Sequence, residues 1–236
     1  MVGYDLDNVT IYGGIKNQTF GAKAYVPISG VGYMNITSTP DTSLGYVVGA
    51  AIERPEIALR VALTYHTKIT HDVSIVETLN SGTATPSILT ADTPSSFNLD
   101  FQTGVAENTL LFGTIRSVQW TQTILNPDLY VANANKPLKK FTSDTVSYSL
   151  GLGRKFSDEW SGAVTYGTEA AEGTQGGPLG PTDGYSKMGV GVTYSGEQAD
   201  ITLGVQQINN GNTDTAAATM SGNTTLVTAV KVAYKF

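Results

Sequence analysis

The stretch TTLVTAVKVAYKF, residues 224–236, decides how the rest of the chain is interpreted. From Leu226 onward one parity carries mostly large apolar residues, and the other carries valine, alanine and lysine. Side chains of a strand point to opposite faces with a period of two, so the stretch predicts a strand with one apolar and one mixed face. It closes on an aromatic residue, Phe236, which suits the interface of a membrane barrel. The alternative is the last strand of a soluble β-sandwich.

The composition limits the classes of protein to consider. The 236 residues are 40% hydrophobic and only 14% charged, whereas soluble domains carry about 25% charged residues. No segment approaches the roughly 20 consecutive apolar residues that a membrane helix needs. The lack of cysteine excludes disulfides and cysteine-ligated metals. A net charge of −6 without a basic cluster argues against a nucleic-acid partner.

Alternating segments predict about ten strands in all. They cover residues 9–26, 43–53, 57–70, 97–106, 110–122, 145–156, 160–168, 185–195, 199–208 and 224–236. Both parities of 110–122 carry apolar residues, so the facing of that segment stays open. The stretches 27–42, 76–96 and 123–144 are expected to be loops. The start, MVGYDLDN, is expected to hold the end of one further strand and shows no signal peptide; we expect a removed signal or a piece of a longer chain.

The connections between these strands alternate in length. Four turns of about four residues, near positions 54, 107, 158 and 197, alternate with longer polar loops, which is the pattern of transmembrane barrels. Aromatic residues collect near the short turns, as in an interface girdle: Phe156, Trp160, Tyr194, Tyr234 and Phe236. A soluble sandwich has no reason to place all its long loops at one end. The sequence therefore predicts a single-domain, all-β, transmembrane antiparallel up-and-down β-barrel over residues 1–236.

The predicted inner face is small and neutral on the late strands, as at Gly151, Gly153, Gly189 and Gly191. A small barrel that fills its own interior needs bulky inward residues, so this lining leaves space for a channel, a ligand or a plug. Inward charges are sparse. By parity they are Arg60, His66, Lys68, Asp100, Lys231 and Lys235, with Arg116 depending on the facing of its strand.

Catalytic and metal sites are not indicated. His66 and His71 are the only histidines, and no nucleophile, base and orienting group can be assembled around either of them. We expect no enzyme activity, no catalytic residue, no bound metal and no cofactor.

Several stretches resemble the outer-membrane long-chain fatty acid transporters and their relatives that import aromatic hydrocarbons, the FadL/TodX-like family. They are NVTIYGGIK (residues 8–16), LGYVVGAAIERPEIALRVALTYHTKI (44–69), LLFGTIRSVQWTQ (110–122) and the closing YKF (234–236). The resemblance corresponds to the C-terminal part of the family and implies about ten of fourteen strands. The family's N-terminal plug and first strands find no match.

The resemblance implies a monomeric channel of a Gram-negative outer membrane, in contact with its lipid. Its function would be passive uptake of hydrophobic or amphipathic solutes, such as long-chain fatty acids. Extracellular loops would capture the solute, and the barrel would release it laterally. For a solute with a carboxylate, the expected substrate-binding lumen residues are Arg60, His66, Lys68, Arg116 and Lys231. The alternative function is a structural or adhesive barrel that binds a partner through its long loops.

Overall fold

A computed structural model describes residues 1–173, 182–214 and 218–235. In chain order the strands are β1 (Val2–Leu6), β2 (Val9–Phe20), β3 (Lys23–Ile28), β4 (Gly32–Ser38), β5 (Asp41–Arg54), β6 (Leu59–His66), β7 (Ile69–Leu79), β8 (Thr85–Thr93), β9 (Ser96–Ala106), β10 (Thr109–Val118), β11 (Ile124–Leu125), β12 (Lys139–Lys140), β13 (Thr145–Lys155), β14 (Trp160–Glu169), β15 (Tyr185–Ser195), β16 (Ala199–Asn210), β17 (Thr213–Asp214), β18 (Thr219–Met220) and β19 (Thr224–Tyr234). The helices are α1 (Asp128–Ala134) and two 3-10 turns, Pro55–Ile57 and Trp120–Gln122. Phe236 lies outside the described residues.

Eleven strands form one antiparallel sheet in the order β1-β2-β5-β6-β9-β10-β13-β14-β15-β16-β19. The order follows the chain, so the sheet is up-and-down, and the predicted all-β barrel class is confirmed. The predicted short turns join β5 to β6, β9 to β10, β13 to β14 and β15 to β16. The N-terminal strand β1 adds an eleventh strand to the ten expected.

The outer face of this sheet is apolar and exposed, because alternate residues of each strand point away from the lumen. Leu150, Val164, Val190 and Leu203 are each about half exposed although they lie in the middle of long strands. Near the short turns the exposed face carries Phe156, Trp160, Tyr194 and Tyr234. The rings of Trp160 and Tyr194 lie 5.1 Å apart. Such a band with aromatics at its border is the surface that a bilayer covers.

The two edges of the sheet are β1 and β19, and over the described residues they do not pair with each other. Neighbouring strands are antiparallel throughout, and the sheet has an odd number of strands. β1 and β19 therefore run in the same direction across the predicted membrane.

A second, four-stranded sheet, here called the roof, has the order β3-β4-β7-β8 and carries α1 on one face. Its buried core is Ile28, Met34, Ile36, Val73, Ile75, Leu89 and Tyr130. The roof corrects three expectations. Stretches 27–42 and 76–96 are not loops throughout, since they contain β4 and β8 and parts of β3 and β7. The predicted strand 9–26 divides between two sheets, and the predicted strand 57–70 ends at His66.

The sequence hides the roof because its buried face is not wholly apolar. On β7 the residues Ile69, His71, Val73, Ile75 and Glu77 share one face, and all are buried. The histidine and the glutamate interrupt the apolar alternation that would have indicated a buried strand.

The start of β7 packs on the inner face of the large sheet. A Cβ at Gly45, on β5, would lie 2.5 Å from Cγ1 of Ile69, so the absence of a side chain at Gly45 makes room for Ile69. The His71 ring stacks on Phe20 of β2 with centroids 5.6 Å apart, and its Nδ1 lies 3.1 Å from Oδ2 of Asp41 on β5. The roof thus covers the long-connection end of the lumen beside β2 and β5.

The opposite side of the roof is joined to the end of β10. The Ser95 hydroxyl donates to Oε1 of Gln119 at 2.7 Å, and the Ser95 backbone N–H donates to Oε1 of Gln122 at 3.1 Å. The Thr123 hydroxyl donates to the carbonyl of Asp92 at 2.8 Å. Both sides of the roof are therefore fixed to the barrel wall.

Candidate functional site

The inner face of the large sheet borders two open cavities. The first, of about 560 Å³, lies near the short turns and is lined mainly by small residues. They include Gly104, Gly153, Ala163, Gly191 and Thr202. Antiparallel register places such residues side by side on successive strands, with Gly153 opposite Ala163 and Gly191 opposite Gly204. Small residues make up most of this part of the wall, as parity predicted, and Arg154 and Lys155 also line the cavity.

The second cavity, of about 600 Å³, follows β6 along its length. Arg60 and His66, at the two ends of that strand, both line it, together with Tyr12, Lys16 and Asn98. Two of the predicted lumen residues are therefore in one groove.

Arg60 and His66 nevertheless lie far apart. Six residues of strand, at about 3.3 Å each, separate them by roughly 20 Å. Arg60 is at the short-turn end, where its Nε lies 2.8 Å from Oε1 of Glu53. His66 is at the opposite end, level with Val47 and Ser96. A single carboxylate cannot contact both of them.

Arg116 joins His66 in a basic cluster at the long-connection end. The register of β10 pairs Arg116 with Asn98 on one side and Ser147 on the other, which resolves the open facing of this strand and turns Arg116 inward. Its Nη1 donates to Oδ1 of Asn98 at 2.7 Å. The charges of Arg116 and Lys16 both act on the His66 ring. Lys16 and Arg116 carry the positive charge of this wall, and together with His66 they are here called the basic cluster.

Lys16 was not among the lumen residues predicted from the sequence. In the structure Lys16 pairs with Gly45, on the same face as Tyr12 and Gly49. The alternation of Val9, Ile11 and Ile15 with Thr10, Tyr12 and Lys16 is the sequence signal that could have identified it.

Lys68 is not a lumen-wall residue, which corrects its predicted position. β6 ends at His66, and Lys68 lies in the link to the roof. Its Nζ lies 3.0 Å from Oδ2 of Asp92 on β8. Lys231 does face inward, opposite Thr202 on β16, but it lies near the short turns and several strands away from the basic cluster.

Side-chain hydrogen bonds connect the strands between these charges. The Tyr12 hydroxyl lies 2.6 Å from Oγ1 of Thr64, and the Thr114 hydroxyl donates to Oδ1 of Asp100 at 2.7 Å. The Asp100 side chain is thereby held against the wall.

Within residues 1–173, 182–214 and 218–235, no group of three or more acidic, histidine or cysteine side chains could hold a metal ion. His71 is fully buried beneath the roof. In the same residues no helix is long and apolar enough to cross a membrane.

An up-and-down antiparallel sheet with an apolar outer face, an open inner face, short turns at one end and long connections at the other defines the class of transmembrane β-barrels. The fold is similar to that of a Pseudomonas aeruginosa FadL homologue, with a TM-score of 0.69 and 14% identity over 96% of this chain and 62% of that chain. The Ralstonia pickettii toluene transporter TbuX gives a TM-score of 0.58 at 12% identity, covering 97% of this chain and 63% of its own. The Pseudomonas putida toluene transporter TodX gives a TM-score of 0.56 at 11% identity, covering 87% of this chain and 61% of its own.

The expected resemblance to the fatty acid and aromatic hydrocarbon transporters is therefore confirmed at the level of the fold. This chain spans about three fifths of the length of those three barrels. The similar folds are named as transporters rather than enzymes. No family model and no curated protein sequence matches the chain.

Proposed function

We propose that this chain forms the larger part of the wall of an outer-membrane channel for passive uptake of hydrophobic or amphipathic solutes. The observation that carries the proposal is the division of faces. The outer face is apolar and exposed, whereas the inner face borders two cavities of about 560 and 600 Å³. Uncharged residues make up most of the described lining of both cavities, in contrast to the rings of charge that select ions.

The basic cluster supports a solute with an anionic head, such as a long-chain fatty acid. Lys16, His66 and Arg116 lie at the long-connection end, where a solute arriving from outside would first meet the wall. The alkyl chain would extend toward the small residues that make up most of the first cavity. Passage needs no energy source, because the solute moves down its gradient toward the membrane.

Lateral release belongs to the same proposal. Strand pairing is continuous from β1 to β19 over the described residues, so we place the wall opening beside one of these two edge strands. We further propose that the protein is a monomer in the outer membrane of a Gram-negative bacterium, with lipid against its outer face.

Uptake of radiolabelled oleate by cells carrying the protein tests the function. Lys16→Ala combined with Arg116→Ala should lower oleate uptake and leave toluene uptake unchanged, because only oleate carries a charge. Lys23→Ala, on the exposed edge of the roof, is the matched control. If cells with the protein take up no more oleate than cells without it, the channel function is refuted. If the double variant takes up oleate at the wild-type rate, the role of the basic cluster is refuted.

One feature of the roof supports the alternative, adhesive function. A loop region with its own buried core and an exposed Tyr25–Tyr33 ring stack, at 5.0 Å, offers a firm outer surface. Binding of cells to host or bacterial surfaces that disappears with Tyr25→Ala while oleate uptake persists would favour that function.

A further inference from the structure

The inner face carries two aromatic rings that lie on glycines of a neighbouring strand. Tyr12 of β2 is paired with Gly49 of β5, and Phe112 of β10 is paired with Gly151 of β13. Directly paired residues of an antiparallel sheet share a face. Both rings therefore belong to the lumen wall, on the face opposite the exposed Leu150.

Each ring occupies the space that a side chain on the glycine would fill. A Cβ at Gly49 would lie 2.5 Å from Cε2 and Cζ of Tyr12, and a Cβ at Gly151 would overlap Cζ and Cε2 of Phe112. Real Cβ atoms do not approach so closely. The missing side chains are what allow the rings to lie flat against the wall instead of standing into the lumen.

The Tyr12 ring is also held at its far end. It crosses β5 above Gly49 and brings its hydroxyl to 2.6 Å from Oγ1 of Thr64 on β6. Phe112 lies between Gln102 and Gly151 and has no polar atom that could form a hydrogen bond, so packing, chiefly on Gly151, holds its ring.

We propose that Tyr12 and Phe112 are specificity-determining residues of the lumen. The glycines beneath their rings, Gly49 and Gly151, set how far each ring stands from the wall and therefore the width through which a solute passes. The inference rests on the proposed channel function and adds that the channel selects solutes by their cross-section. Flat rings leave room for a ring-shaped solute and present it with an aromatic face, with which another ring stacks favourably. A ring forced away from the wall narrows the lumen, which a slim alkyl chain tolerates better than a fused aromatic system.

The test compares uptake of oleate and of phenanthrene by cells that carry the full chain. Gly151→Ala should lower phenanthrene uptake about tenfold, which corresponds to ~1.4 kcal/mol in the barrier, and should change oleate uptake much less. Gly204→Ala is the matched control, since a Cβ there meets its nearest atom at 3.9 Å. Heat-modifiable mobility in SDS gels verifies that each variant assembles.

The double variant Gly151→Ala with Phe112→Ala keeps the proposal testable if the single change disturbs the wall. Phenanthrene uptake should return to the wild-type rate or exceed it, because the displaced ring is gone. A double variant that remains as impaired as Gly151→Ala would show that the wall itself fails, and would overturn the role of the ring.

A second measurement separates this inference from the channel function. With Phe112→Trp as a reporter, Gly151→Ala should increase acrylamide quenching of the added tryptophan, and Gly204→Ala should not. If neither oleate nor phenanthrene enters wild-type cells, the proposed channel function is refuted, and the proposed selectivity is refuted with it. The quenching measurement still shows whether Gly151 allows the ring at position 112 to lie against the wall. Unchanged quenching, or changed quenching with unchanged phenanthrene uptake, would refute the inference.

Discussion

Glu77 on β7 accepts the backbone N–H of Tyr130 in the first turn of α1, with Oε1 2.8 Å from the nitrogen. Its Oε2 accepts the N–H of Leu129 at 3.1 Å and the hydroxyl of Ser87 at 2.9 Å. The carboxylate is fully buried, and these bonds connect three separate segments of the chain. A charge in the roof core thus replaces an apolar contact and joins the helix to the sheet.

Replacing Glu77 with alanine should loosen α1 from the roof. Two buried backbone N–H groups and one hydroxyl would lose their acceptor, at about 1–3 kcal/mol for each group that stays unsatisfied. Hydrogen exchange at Leu129 and Tyr130 should accelerate, and protease cleavage between residues 123 and 142 should increase. Glu107→Ala, in a short turn, is the control that should change neither. Unaltered exchange in Glu77→Ala would mean that apolar packing alone holds the helix.

The roof should be sensitive to alkaline pH through Tyr130. Burial raises the pKa of the Tyr130 phenol above its usual range. The folded roof therefore keeps a proton that the unfolded segment loses. This contribution to stability is complete below the unfolded pKa, near 10, and decreases as the pH rises through the raised value. Tyr130→Phe should remove that dependence from protease-resistance curves, whereas Tyr25→Phe, at an exposed ring, should keep it.

The junction of roof and wall should depend on Gly45. A valine there would displace Ile69, and the start of β7 would have to move away from β5. Overpacking of this kind costs about 1–3 kcal/mol. Whole-cell proteolysis should then cut near residues 66–69 in Gly45→Val. Gly191→Val, where the nearest atom is a carbonyl at 3.6 Å, should leave that link intact. Equal resistance in both variants would argue against the packing of Ile69 on the inner face.

The separation of Arg60 from His66 predicts different effects on carboxylate binding. Arg60 is paired with Glu53 at the far end of β6, so Arg60→Ala should leave the affinity for oleate nearly unchanged. His66→Ala should weaken it, because this ring belongs to the basic cluster. Lys68→Ala should behave like Arg60→Ala, since Lys68 is engaged with Asp92. Equilibrium binding of oleate to the purified variants measures these affinities. If Arg60→Ala lost the most affinity, the prediction would be contradicted.

The directions of β1 and β19 predict how the barrel closes. Because the two strands run the same way, they cannot pair as antiparallel neighbours, and closure needs an odd number of further strands between them. Cysteines at Tyr4 and Val230 should therefore not crosslink under oxidation. Cysteines at Leu203 and Val230, which are register partners, should form a disulfide. A Tyr4–Val230 disulfide in assembled protein would show that the two edges meet directly.

The wall could be predicted from the sequence because nearly all of its strands have one apolar and one small or polar face; β10, with apolar residues on both parities, is the exception. Arg60 and His66 were placed correctly by parity alone. Parity alone gives only the face of the sheet, and the spacing of six residues adds that the two side chains lie roughly 20 Å apart along the strand. Lys68 shows the related limit, since alternation continues past His66 although the chain has already left the wall.

The roof was not predictable for a different reason. Its strands come from two connections, and β7 carries on its buried face two polar residues that find partners only in the folded state. His71 requires Asp41 and Phe20, and Glu77 requires the N–H groups of α1. No local sequence pattern predicts that the carboxylate of Glu77 accepts hydrogen bonds from backbone N–H groups of a helix more than fifty residues later in the chain.

The divided origin of the roof also constrains the order in which the protein assembles. β3 and β4 precede the hairpin of β5 and β6 in the chain, and β7 and β8 follow it. In the proposed outer membrane, we expect the two halves to meet only after that hairpin has crossed the bilayer. Pairing of β4 with β7 would then be a late event that follows insertion. Until then, both halves remain without a core, open to surface proteases that would remove chains stalled during biogenesis.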